Sequence, residues 1–180
     1  GFFGEPNASR LLVIVSGMHG VESLPGAAIQ VGWIESGGAQ LLPPDTAVLM
    51  VHQANPWGCA YRRRFNEDNI DLNRNFLDFS LPLPVNDNYP SIHDQLKPGT
   101  TLGDFGERSG DFLAELVAGE GIDSVIDLLM AGQHQFPYGF GYGGHAFCDG
   151  GGRGFPLGVV NCRALARASA LPWACNAAVC

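Results

Sequence analysis

Positive charge is scarce in this sequence. Ten Lys and Arg residues stand against eighteen Asp and Glu, for a formal net charge of −8 and a pI near 4.9. A nucleic-acid partner needs a basic face that displaces counterions from phosphates. The one dense basic run is Arg62-Arg63-Arg64, so no nucleic-acid partner is expected. Long apolar runs are missing too. None reaches the ~20 residues that span a bilayer, and no charged segment followed by an apolar one opens the chain. The expectation is therefore no membrane partner and, by default, a cytoplasmic location, and the start at Gly1 rather than Met leaves room for further N-terminal residues. No Cys-x-x-Cys spacing occurs. Cys148, Cys162, Cys175 and Cys180 crowd the end of the chain, which argues against a zinc knuckle, a redox pair or a disulfide framework. Cys59 reads as a small buried or half-buried apolar residue. With 46% hydrophobic and only 16% charged residues over 180 positions, the chain has the means for one domain with a real core.

That core begins with residues 11–15, Leu-Leu-Val-Ile-Val, an apolar and β-branched run that predicts a buried strand. It leads directly into Ser16-Gly17-Met18-His19-Gly20-Val21-Glu22. In an open α/β sheet, functional groups collect beyond the carboxyl ends of the strands. The glycines on either side of His19 allow a sharp turn, so His19 and Glu22 can supply an imidazole and a carboxylate to one metal ion. Pro25 suits the first turn of a helix, and Ala27, Ala28, Ile29, Val31, Gly32, Trp33 and Ile34 continue it with an apolar face until Gly37-Gly38. Residues 46–52 predict a second buried strand. Strand, helix and strand in one sheet imply a right-handed crossover and a mixed, largely parallel α/β sheet covered by helices. His52 closes the second strand and reads as a hydrogen-bonded histidine holding the loop rather than as a ligand, because no second metal-type residue stands beside it. Asn55-Pro56-Trp57-Gly58 reads as a turn.

Residues 62–76 alternate charge with amide groups: Arg62-Arg-Arg-Phe-Asn-Glu-Asp-Asn-Ile-Asp71-Leu-Asn73-Arg74-Asn-Phe76. Guanidinium groups grip a carboxylate with paired, charge-assisted hydrogen bonds, and asparagine can fix its tilt. The series His19-x-x-Glu22, His52-x-x-Asn55-Pro56 and Arg64-x-Asn-Glu-x-Asn-x-Asp71-Leu-Asn73-Arg74-Asn-Phe76 closely resembles zinc carboxypeptidases of the M14 type, in particular the bacterial branch known as DUF2817. The resemblance covers roughly residues 11 to 145, with Gly132-Gln133 and Tyr142-Gly143-Gly144 similar to the middle section of that branch. It implies a carboxypeptidase-like fold and one zinc ion with His19 and Glu22 as its first two ligands. It also implies Arg64 as the group that polarises the scissile carbonyl, and Asn73 with Arg74 as the pair that holds a substrate's terminal carboxylate. The implied substrate is a peptide or an N-acyl amino acid with a free carboxylate. The second possibility arises because the more distant aspartoacylase and succinylglutamate desuccinylase branch shares the His-x-x-Glu and Asp-Leu-Asn-Arg elements.

Residues 77–103, rich in Pro, Asp and Asn, predict an irregular excursion. Two helices follow, over 111–117 and 122–130, separated by Gly119 and Gly121. On the first, Phe112, Leu113, Leu116 and Val117 share a side; on the second, Ile122, Val125, Ile126 and Leu129 do. The glycine- and aromatic-rich residues 133–145 suit either a loop closing over the site or plain packing. The family's third ligand comes from an Asp-Leu-His-Thr-Gly type strand and its general base from a later glutamate; neither motif occurs here, and His134 and His145 are the later histidines open to substitute for that ligand. From residue 148 the chain turns Gly-, Ala-, Arg- and Cys-rich. The expectation is a partial carboxypeptidase-like domain over 1–147, C-terminally truncated, with a divergent tail over 148–180. A zinc site short of its third ligand and base is expected to bind weakly, and the reading for this chain extends from a carboxypeptidase-like hydrolase to an inactive, non-catalytic remnant.

Overall fold

The computed structural model describes residues 1–96, 102–146 and 177–179. It divides into two compact units, residues 1–67 with 149–180 and residues 68–148.

The first unit is a small mixed sheet with helices. Strands β1 (Phe2–Phe3), β2 (Arg10–Val15), β3 (Thr46–Val51) and β4 (Ala177–Val179) lie in the order β1-β3-β2-β4. β2 and β3 run parallel, from Arg10 opposite Thr46 to Val15 opposite Val51; β4 is parallel to β2, and β1 is antiparallel to β3. The expected strand, helix, strand order is present, with helix α1 (Ser23–Glu35) between β2 and β3. At the start of the parallel pair, Arg10 Nη2 meets Asp45 Oδ1 at 2.6 Å, and this hydrogen bond holds the Asp45 carboxyl below its ordinary pKa. Helix α2 (Pro56–Tyr61) occupies the segment that reads as a turn. Asn55 accounts for the difference: its side chain accepts the Gly58 N–H at 2.8 Å as an N-cap, and Pro56 sits at the first helical position. Cys59 is half-buried and unpaired, as expected.

α1 packs by a different face from the one its apolar residues suggest. Its buried residues are Ser23 and Gln30, while Leu24, Ile29, Val31 and Ile34 are exposed. Small side chains at the sheet let the backbones approach closely: a Cβ on Gly26 would lie 3.0 Å from Ser16 Cβ. Gln30 is tolerated there because its amide is hydrogen-bonded on both sides. Trp33 adds an edge-on contact with Phe3 at 5.2 Å.

The second unit is helical. The expected excursion is more ordered than its composition suggests. Among its described residues it contains a 3-10 turn at Tyr89–Ser91, helix α3 (His93–Leu96) and the first residues of α4 (Leu102–Glu120), and α5 (Ile122–Met130) follows. Gly119 lies inside α4, and Gly121, at φ 84°, makes the break. Tyr89, Ile92 and Leu96 form a core onto which Phe112, Leu113, Leu116, Leu128, Leu129, Phe136 and Phe140 pack. On α5, Val125 is buried while Ile122 and Ile126 are exposed, so the inward stripe runs through Val125, Leu128 and Leu129 instead of the predicted set. Both segments turn their apolar side toward the Tyr89 cluster, and each fully buried side chain there contributes about 1.5–3 kcal/mol.

Among the described residues, no helix is long and apolar enough to cross a membrane. Of the tail, only β4 is described. The remainder, including Cys148, Cys162, Cys175 and Cys180, lies outside the described residues.

The Tyr89 hydroxyl is buried without a well-formed hydrogen bond. Burial pushes its pKa above the ordinary 10.0, with the Phe140 amide pulling weakly the other way. A pKa raised on folding contributes stability that is fully present below the unfolded value and lost as pH rises through the folded value. Urea midpoints measured at about pH 8 and about pH 11 should fall with pH in the wild type and fall less in Tyr89→Phe. Parallel declines would remove this account of Tyr89.

Candidate functional site

In the first unit, the strand end and the turn after it bring three predicted residues together. Beyond Val15 the backbone reverses at Gly17, where φ is 66°, and a 3-10 turn over Gly20–Glu22 follows. His19 caps that turn with an extended backbone, and its carbonyl accepts the Glu22 N–H at 3.1 Å. The i, i+3 spacing then sets His19 Nδ1 3.2 Å from Glu22 Oε2. Arg64 Nη1 stands 3.6 Å from the other oxygen, Glu22 Oε1. The His19 side chain is 9% exposed and that of Glu22 56%. The imidazole is thus held in the protein while the carboxylate opens to solvent.

This turn is clamped by α2. Gly20 lies directly against the backbone of Gly58 and Cys59, and a Cβ on Gly17 would come within 2.8 Å of Gln53 Cα and 3.0 Å of Cys59 Sγ. Asn55 works on both sides: besides capping α2, its Nδ2 reaches the Arg64 carbonyl at 3.4 Å. The Asn-Pro dipeptide is therefore a structural part that starts a helix and ties down the arginine after it. Sequence reading missed this role, although an Asn before Pro at a helix start was a signal for it.

In the second unit, Asp71-Leu72-Asn73-Arg74-Asn75 alternates anchors with presented groups. Asp71 is buried and its carboxylate accepts the Asn73 N–H at 2.9 Å, capping the 3-10 turn Leu72–Arg74. Asn75 is buried and its Nδ2 donates to the carbonyls of Gly143 and Ala146 at 2.7 and 2.9 Å. Asn73 is exposed and Arg74 half-buried. The Arg74 stem lies over Gly132, where a Cβ would come 2.7 Å from Arg74 Cδ. Two of the block's amides are thus used by the fold, since Asn69 Nδ2 likewise donates to the Pro137 and Gly139 carbonyls.

Much of the 133–145 segment is packed within this unit. Gln133, His134 and Tyr142 are buried, and Gln133 bridges to Tyr142. Gln133 is the hub: its Oε1 accepts the N–H groups of Gln135 and Phe136, and its Nε2 donates to the Phe136 carbonyl. His134 Nδ1 lies 2.7 Å from the Gly144 carbonyl and donates to it, with the ring against Gly143. His145 is exposed and meets Tyr142 edge-on at 5.5 Å. Burial also raises the Tyr142 pKa. A cleft of about 390 Å³ lined by residues including Asn86, Ser91, Glu120 and Asp127 contains none of the predicted site residues.

Imidazole nitrogen and carboxylate oxygen are ordinary zinc donors, so His19 and Glu22 fit such an ion in donor type and spacing. Among the described residues, no group of three or more His, Cys, Asp or Glu side chains is placed to hold a metal. The fit thus extends to two protein donors.

Fold and site together define a class: a small α/β sheet that sets a His-x-x-Glu pair, with an arginine beside it, beyond the carboxyl end of a parallel strand. The chain belongs to the family described as protein of unknown function (DUF2817), whose model matches residues 1–149. No curated protein and no solved structure matches it.

Proposed function

We propose that this chain is a zinc-dependent, carboxypeptidase-like hydrolase of the M14 type, acting on the C-terminal peptide bond of a substrate with a free carboxylate. The observation that carries this reading is the His19, Glu22 and Arg64 cluster, with 3.2 Å between imidazole and carboxylate and 3.6 Å between carboxylate and guanidinium. The resemblance of residues 64–76 to the family motif supports the remaining roles. His19 and Glu22 would hold the ion, which supplies an acidified water and a Lewis acid when bound. Arg64 offers N–H donors to the oxyanion that develops on the attacked carbonyl. Asn73 and Arg74 bind the substrate's terminal carboxylate, with Arg74 neutralising its charge. Cleavage of N-acyl amino acids without cleavage of peptides would move the assignment to the deacylase branch.

Zinc titration by calorimetry tests the metal half without any need for turnover. Weak one-to-one binding is expected, falling by at least about tenfold in His19→Ala and in Glu22→Gln and unchanged when His134 and His145 are replaced. Binding indifferent to His19 would overturn the proposal. Tight binding that depends on His134 or His145 would replace the two-donor site with a complete one.

A further inference from the structure

His52 lies outside the His19, Glu22 and Arg64 cluster, and its surroundings determine which ring nitrogen carries the hydrogen. Gln30 is 3% exposed, and its Nε2 donates to the Val51 carbonyl at 3.0 Å and to the Ile14 carbonyl at 3.5 Å. Carbonyl oxygens only accept, so the amide has a single workable orientation, with Oε1 turned toward Ser16 and His52. Ser16 Oγ donates to that oxygen at 2.9 Å while accepting the Gln53 N–H at 3.2 Å, so the hydroxyl is also used in a consistent direction. His52 Nδ1 stands 2.9 Å from the same Gln30 oxygen. Facing an acceptor, Nδ1 must carry the hydrogen, and in the neutral ring the lone pair then lies on Nε2. His52 is exposed, and its side-chain hydrogen bond among the described residues is made at Nδ1 and not at Nε2.

The position of this nitrogen makes it useful. Val51 pairs with Val15, so His52 follows the carboxyl end of β3 directly beside the strand whose extension carries His19 and Glu22. Ligands of parallel sheets gather at that end. We propose that His52 is a substrate-binding residue whose Nε2 accepts a hydrogen bond from the amide N–H of the substrate, and that Gln30 is the positioning residue that holds it in the accepting tautomer. This rests on the reading of the chain as an amide hydrolase, since peptides and N-acyl amino acids both carry that N–H.

Two measurements on the full chain decide it. Nitrogen-15 NMR of the neutral imidazole should show the Nδ1–H tautomer for His52, and a mixture in Gln30→Leu; an Nε2–H tautomer in the wild type overturns the proposal. Calorimetry should then compare an N-acetyl dipeptide bearing a free carboxylate with the matching depsipeptide, in which an ester oxygen replaces the N–H. His52→Phe should weaken the amide by about fivefold to tenfold, the size of one hydrogen bond, and leave the ester unchanged. His52→Gln, whose side-chain oxygen can accept, should recover most of the loss. Equal weakening of both ligands overturns the role of His52 alone, whereas a wild type that binds neither overturns the substrate reading and this role with it.

Discussion

Replacing Gly20 by alanine is expected to lower the free energy of unfolding by about 3 kcal/mol, at the upper end of what overpacking ordinarily costs. The added Cβ falls on the carbonyl of Gly58 and the nitrogen of Cys59. These are backbone atoms on a capped helix, so no side chain can rotate away to make room. In a protein of this size the melting temperature should drop by about 6–12 °C. Gly32→Ala is the matched control: it lies within α1 with nothing within 4 Å of its Cβ position, and should be neutral or stabilising by up to about 1 kcal/mol. Thermal unfolding of the two variants together checks the expectation, and similar melting temperatures would refute it. Because the collision is at the turn that places His19 beside Glu22, zinc affinity should also fall in Gly20→Ala and hold in Gly32→Ala.

Arg74→Ala is expected to weaken ligands with a free C-terminal carboxylate by about 10- to 100-fold, the equivalent of a charge-assisted hydrogen bond worth about 1.5–3 kcal/mol. The same ligands with an amidated C-terminus should bind both proteins alike, having no charge for the guanidinium to meet. The size of the effect follows from how the residue is held. Its stem is fixed over Gly132 and its Nη1 donates to the Asn73 carbonyl at 3.1 Å, so little side-chain entropy remains to be lost on binding. Equal loss for free and amidated ligands, measured by calorimetry, would assign Arg74 a purely structural role.

Much of the first unit was legible from periodicity. The β-branched runs at 11–15 and 46–51 could hardly be other than strands, and thirteen helical residues between β2 and β3 suit only a parallel crossover. The meeting of His19 with Glu22 was legible as well, because an i, i+3 pair on a tight turn is a local matter of backbone geometry. Arg64 belongs with them by motif resemblance alone in the sequence. What brings it there physically is Asn55, which caps α2 and holds the Arg64 carbonyl.

Other features depended on tertiary contacts that no local pattern encodes. The apolar residues of α1 suggested a face that the fold leaves exposed, because side-chain size at the sheet, and not apolarity, decided which face would be buried. Close approach to the sheet selected the stripe of small residues around Gln30 over the larger Leu24 and Ile29. The glycine- and aromatic-rich residues 133–145 suited a loop or a core equally well, and the hydrogen bonds of Gln133 and Asn75 pack much of the segment within its unit. His52 shows the division most clearly. Its place at the end of a strand is written in the sequence, but the identity of its accepting nitrogen depends on a glutamine 22 residues away, whose own orientation is imposed by the carbonyls of two neighbouring strands. Direction in a hydrogen-bond network is a property of all its members together, and only the folded chain assembles them.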